Sequence, residues 1–164
     1  TATDSISGLD GSCTITGYVS TLGTHALIAT AKDKAGNQAA DARNYTILPW
    51  TPKGFYQPVD MNGVYNVTKN GTTVPFKFEI FAGTTELTDV ELIKSITYVQ
   101  TACNANAPTD QSEVTSTEAT SLHYDAESGQ FIYKWKTPKT AGNCYRVTMV
   151  TMDGSSLIAY FKLK

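Results

Sequence analysis

The chain has 164 residues, 41% of them hydrophobic and 17% charged, with a formal net charge of −2. That length allows one large or two small domains. The charge gives no basic field for nucleic acid and no polybasic stretch for a lipid surface. No apolar run reaches bilayer-spanning length, so no membrane insertion is expected.

Taken in order, the chain reads as strand after strand, because threonine and tyrosine are plentiful and helix formers are scarce. Residues 1–4 read as the tail of one strand, and 4–12 are turn chemistry throughout. Strands are predicted over 14–19, 26–32 and 39–47, with Leu27, Ala29 and Ala31 alternating onto one apolar face. Three strands cannot close a sandwich, which takes about seven. Residues 1–48 therefore read as the C-terminal part of an incomplete module.

The stretch 49–59 holds Pro49, Pro52 and Pro58. It reads as a stiff connector, with Trp50, Phe55 and Tyr56 packing between modules. Residues 60–164 carry enough strands for a whole sandwich: 64–68, 73–81, 93–101, 113–119, 122–125, 131–136, 144–151 and 156–164. Alternation places Phe131, Tyr133 and Trp135 together on its core face.

One pattern occurs twice. Gly23 precedes an alternating strand that turns at Asp33-Lys34-Ala35-Gly36-Asn37 into a second strand. Gly142 precedes another, which turns at Asp153-Gly154-Ser155 into the last strand. Asp and Gly tolerate the backbone angles that reverse a strand, so each copy predicts a β-hairpin. Two copies at the ends of the two halves predict tandem, related β-modules.

The three cysteines are Cys13, Cys103 and Cys144, with no Cys-x-x-Cys and no histidine at zinc-site spacing. Cys103 and Cys144 lie in the second half, and a bridge between them closes a loop of about 40 residues. Cys13 is left over: its partner lies upstream of Thr1, or it is free and buried. The chain opens at Thr1 without a leader and is read as a mature or excised piece of a longer, secreted product. Asn44, Asn66 and Asn70 each begin an Asn-x-Thr triplet and are glycosylation candidates.

Catalysis finds little support. His25 and His123 are the only histidines, and no nucleophile elbow, zinc-protease motif or phosphate-binding glycine loop is present. No catalytic residue and no cofactor are expected. Asp4, Asp10, Asp33 and Asp41 crowd the first module, but calcium needs six to eight converging oxygens and these sit on separate turns, so no metal is expected. Aromatic faces stack on sugar rings, which makes Trp50, Tyr56 and Tyr65 candidate carbohydrate contacts. Lys77 alternates with Phe76 and Phe78, so it faces solvent beside Glu79 rather than a buried isopeptide partner.

Gly54-Phe55-Tyr56-Gln57-Pro58, with Pro75-Phe76-Lys77-Phe78, Trp135-Lys136-Thr137-Pro138 and Gly142-Asn143-Cys144-Tyr145, resembles the PxKF domain of secreted and surface proteins of prokaryotes. Upstream, Ser7-Gly8, Gly23-Thr24-His25 and the 33–37 turn resemble the bacterial immunoglobulin-like repeats that precede it. The resemblance implies tandem immunoglobulin-like β-sandwich modules, 1–48 incomplete and 60–164 whole, in a modular extracellular or cell-surface protein with no enzymatic activity. Such modules accompany hydrolases, adhesins and other surface proteins alike, and with no catalytic residues found the expected function is a structural or adhesive one, as a spacer or subunit of a filament-like surface assembly. The partners are neighbouring domains or copies of the chain. The alternative is a carbohydrate-binding accessory module of a secreted glycoside hydrolase, with polysaccharide as partner. The missing strands of 1–48 predict that this part packs heavily on the second module or is completed by strand addition from another chain.

Overall fold

The computed structural model describes residues 1–111 and 121–164. The chain is all-β, and it divides into two compact units, Thr1–Leu48 and Pro49–Lys164.

The first unit is one antiparallel sheet in the order β1 (Thr14–Thr16), β2 (Gly23–Lys32), β3 (Gln38–Ile47). The β2–β3 ladder is unbroken from Gly23↔Ile47 to Lys32↔Gln38. Its turn is built by Asp33, whose carboxylate accepts from the Asn37 backbone N–H (2.8 Å) and side-chain Nδ2 (2.7 Å). β1 stops at Thr16, short of the predicted 14–19, because Gly17 takes φ 88° and turns the chain out of the sheet. β2 starts at Gly23, ahead of the predicted Ala26.

The second unit is a sandwich of two five-stranded sheets. One is formed by β4 (Thr51–Tyr56), β6 (Thr73–Ala82), β10 (Ser121–Asp125) and β11 (Gln130–Lys136) in the order β10-β11-β6-β4, with β7 (Thr85–Leu87) on β6. The other runs β8-β12-β13-β5-β9, from β5 (Tyr65–Thr68), β8 (Ile93–Thr101), β9 (Thr109–Gln111), β12 (Cys144–Thr151) and β13 (Ser156–Leu163).

Period-2 alternation supplies the core. Along β6, Val74, Phe76, Phe78 and Ile80 are buried; β12 gives Tyr145, Val147 and Met149, and β13 gives Leu157, Ala159, Phe161 and Leu163. Phe131 and Trp135 are buried on β11, with Tyr133 packed against the same cluster. Phe76 and Trp135 meet Phe161 of the facing sheet at ring-centroid distances of 5.5 and 4.9 Å. Each such fully buried side chain contributes about 1.5–3 kcal/mol. Lys77 and Glu79 lie between the buried positions, half-exposed.

The segment 49–59 departs from the expected connector. Its residues 51–56 form β4, paired with β6 from Thr51↔Phe81 to Tyr56↔Lys77. β4 is an edge strand, where a sheet tolerates proline such as Pro52. Phe55 is buried in this unit's own core, edge-on to Phe76 at 4.7 Å. β7, β9 and the short 3-10 turn Val90–Leu92 are additions to the predicted elements. The predicted strand at 113–119 lies outside the described residues.

Cys103 and Cys144 are disulfide-bonded, with an S–S distance of 2.03 Å. Cys144 opens β12 opposite Thr101, the last residue of β8, so the bond staples two neighbouring strands of one sheet. A loop closed over a separation of 41 residues contributes about 4 kcal/mol in the chain-entropy account.

Candidate functional site

The two faces of the first unit's sheet differ. His25, Leu27, Ala29 and Ala31 are half-buried, while the residues between them are exposed. Across the ladder, Ala39, Asp41, Arg43, Tyr45 and Ile47 stand on the same face as these four. This is the amphipathic pattern of a strand with an inner side, yet no described residue of Thr1–Leu48 is buried. Of the eleven exposed large hydrophobic side chains among the described residues, seven belong to this unit: Ile6, Ile15, Tyr18, Val19, Leu22, Ile28 and Leu48. A depression of about 210 Å³ lies on the face, lined by Thr1, Cys13, Ala29, Ala31, Ala39 and Asp41 among others. Cys13 is a free thiol and half-buried.

The other end of that face is closed by an aromatic clamp. The Tyr45 hydroxyl accepts from the Val19 N–H (2.7 Å) and donates to the Val19 carbonyl (2.8 Å), fixing the loop between β1 and β2. Tyr18 stacks on Tyr45 with centroids 6.0 Å apart and planes 10° from parallel, and His25 lies 5.5 Å from the same ring. His25 Nε2 is hydrogen-bonded to the Thr21 carbonyl at 2.7 Å. Tyr18 is 71% exposed, and sequence reasoning missed it. The two tyrosines are 27 residues apart in the chain, and only the β2–β3 register brings Tyr45 beside His25.

The aromatic residues singled out for sugar contact do not form a platform. Tyr65 is buried, with its ring 5.4 Å from Tyr160. Trp50 packs against the core of the second unit. Tyr56 donates to Glu79 Oε2 at 3.1 Å; burial and then the Glu79 carboxylate push its phenol pKa up. Trp50 precedes β4 and Tyr56 ends it, and Tyr65 belongs to the opposite sheet.

Asn66 is a correction among the glycosylation candidates. It is 1% exposed, its Nδ2 donates to the carbonyls of Asp60 (2.9 Å) and Tyr160 (3.0 Å), and its Oδ1 accepts from the Asp60 N–H (2.8 Å). The amide is fully engaged as a strut beneath the loop that enters β5. Asn44 is exposed on β3 and Asn70 is half-exposed. Beside Asn66, burial and the neighbouring Asp110 carboxyl push the Asp60 pKa up.

Two acidic residues of the first unit, Asp4 and Asp33, serve its turns. Asp4 accepts from the Ile6 N–H (2.8 Å) and the Ser7 hydroxyl (2.6 Å), and these bonds hold its pKa below the usual carboxylate range. Asp33 is held down likewise, chiefly by Asn37. Asp41 pairs with Arg43 at 3.4 Å.

No family model and no curated protein matches the chain. A solved structure of tandem immunoglobulin domains of titin overlaps 87% of this chain at 14% identity and a TM-score of 0.33. The chain spans 62% of that structure's length. Among the described residues no helix is long and apolar enough to cross a membrane.

Proposed function

We propose that this chain is a non-enzymatic structural or adhesive segment of an extracellular, cell-surface protein, combining a whole PxKF-like sandwich with a partial immunoglobulin-like module. In this reading the first unit is a socket. Its apolar face is covered by β-structure from outside residues 1–48, contributed by a neighbouring domain or another chain. The observation that carries the reading is an alternating, apolar-faced sheet with no buried residue of its own. The small side chains of Ala29, Ala31 and Ala39 leave room for larger ones to interdigitate from above. The Cys103–Cys144 bond supports an oxidising compartment.

A photo-crosslinking residue in place of Leu27, in the protein on its native cells, tests this. The expected product is an adduct between Leu27 and a peptide from outside residues 1–48, on protein accessible at the cell surface. Recovery of the protein only from the cytosol, or adducts confined to residues 1–48, overturns the proposal.

A further inference from the structure

The edge of the first unit's sheet carries separate information from its face. β3 is ten residues long and, among the described residues, pairs with β2 alone. Residues 38–44 are all exposed, and the strand has no proline and no bulge. Natural edge strands of this length are ordinarily shortened, bulged or interrupted, because unpaired N–H and C=O groups recruit another strand. Here only two charges stand on the edge, Asp41 and Arg43, both on the same face and with side chains 72% and 85% exposed.

Their spacing is self-complementary. If β3 meets a second copy of itself antiparallel about Ala42, Asp41 of each copy stands directly opposite Arg43 of the other, twice by symmetry. Ala40 then faces Asn44, Ala39 faces Tyr45 and Gln38 faces Thr46, with no like charges in contact. Moving the register by two residues either way sets Asp41 against Asp41 or Arg43 against Arg43, which is repulsive across a strand pair. Moving it by one joins the apolar face of one sheet to the polar face of the other. Of these registers, only the one centred on Ala42 satisfies both charge and face.

We propose that two copies of this chain associate through β3 in this register, giving one continuous antiparallel sheet about a two-fold axis. Such an isologous contact closes on itself and yields a dimer rather than a fibre. It concerns the sheet's edge, whereas the socket reading concerns its face, so either can fail without the other.

Sedimentation equilibrium of the full chain, from micromolar to millimolar concentration, should show a monomer–dimer equilibrium. Asp41→Arg and Arg43→Asp each place like charges opposite one another at both symmetric positions. Each should raise the dissociation constant about tenfold or more. The double exchange Asp41→Arg with Arg43→Asp restores the opposition and should return the constant to near the wild-type value. Both side chains are exposed, so the exchanges leave the fold intact, which circular dichroism checks. A wild-type chain that stays monomeric overturns the proposal, as do single exchanges without effect or a double exchange that fails to recover.

Discussion

Trp135 gathers much of the second unit's packing into one side chain. Its ring lies 4.9 Å from Phe161, 5.5 Å from Tyr98, 6.0 Å from Phe76 and 6.4 Å from Tyr145, and it is 1% exposed. Its indole nitrogen, however, has no hydrogen-bond partner among the described residues. Truncation and conservative replacement should therefore separate widely. Trp135→Ala should cost about 3–5 kcal/mol through the cavity it opens. Trp135→Phe should cost less than half as much, because it removes an unpartnered buried N–H along with the lost volume. Urea unfolding of the two variants measures the gap. The burial of Trp135 was legible from alternation with Phe131 and Tyr133. That of Asn66 was not, because a three-residue sequon carries no information on which way its asparagine points.

At the scale of elements, the turn between β12 and β13 does more than reverse the chain. Asp153 accepts from the Thr151 hydroxyl, the Ser155 N–H (3.1 Å) and the Ser155 hydroxyl (3.1 Å), and from the Trp50 N–H at 2.6 Å. The Ser155 hydroxyl also bonds the Trp50 carbonyl at 3.0 Å. The hairpin turn thus anchors the backbone just before β4. Burial alone would raise the Asp153 pKa, but the donors outweigh it and hold it below its usual 3.8. A carboxylate with a depressed folded pKa stabilises the fold above the unfolded value and loses that contribution as pH falls through the folded one. Asp153→Ala should cost about 2 kcal/mol at neutral pH by leaving charge-assisted bonds unmade. The difference from wild type should shrink below about pH 3.8, and chemical denaturation at a series of pH values reads both. Sequence showed both hairpins through their Asp-Gly turns, since turn chemistry is local. It missed β4 because prolines argue against a strand until the strand is known to lie on an edge. It missed β9 because three residues in parallel pairing with β5 depend wholly on tertiary neighbours.

For the whole molecule, the contrast between the units decides how it unfolds. The second unit encloses a continuous core between two sheets, and the first has a sheet but no buried residue. In dilute solution the first unit should melt at lower denaturant than the second, in a separate transition. Residue-resolved hydrogen exchange should show amides of β2 opening well before those of β6, β11 and β12. A single coincident transition by all probes contradicts this. The all-β class was legible from strand count and alternation. The open edge of β3 emerged only with the sheet order.

The disulfide also sets a mechanical limit. β4 and β13, the first and last strands of the second unit, both lie outside the loop between Cys103 and Cys144. Tension applied through the chain on either side can unravel those strands but cannot lengthen the sealed segment. A separation of 41 residues at about 3.4 Å each withholds about 140 Å of contour. Under load, the oxidised chain is a shorter tether than its reduced form by that amount.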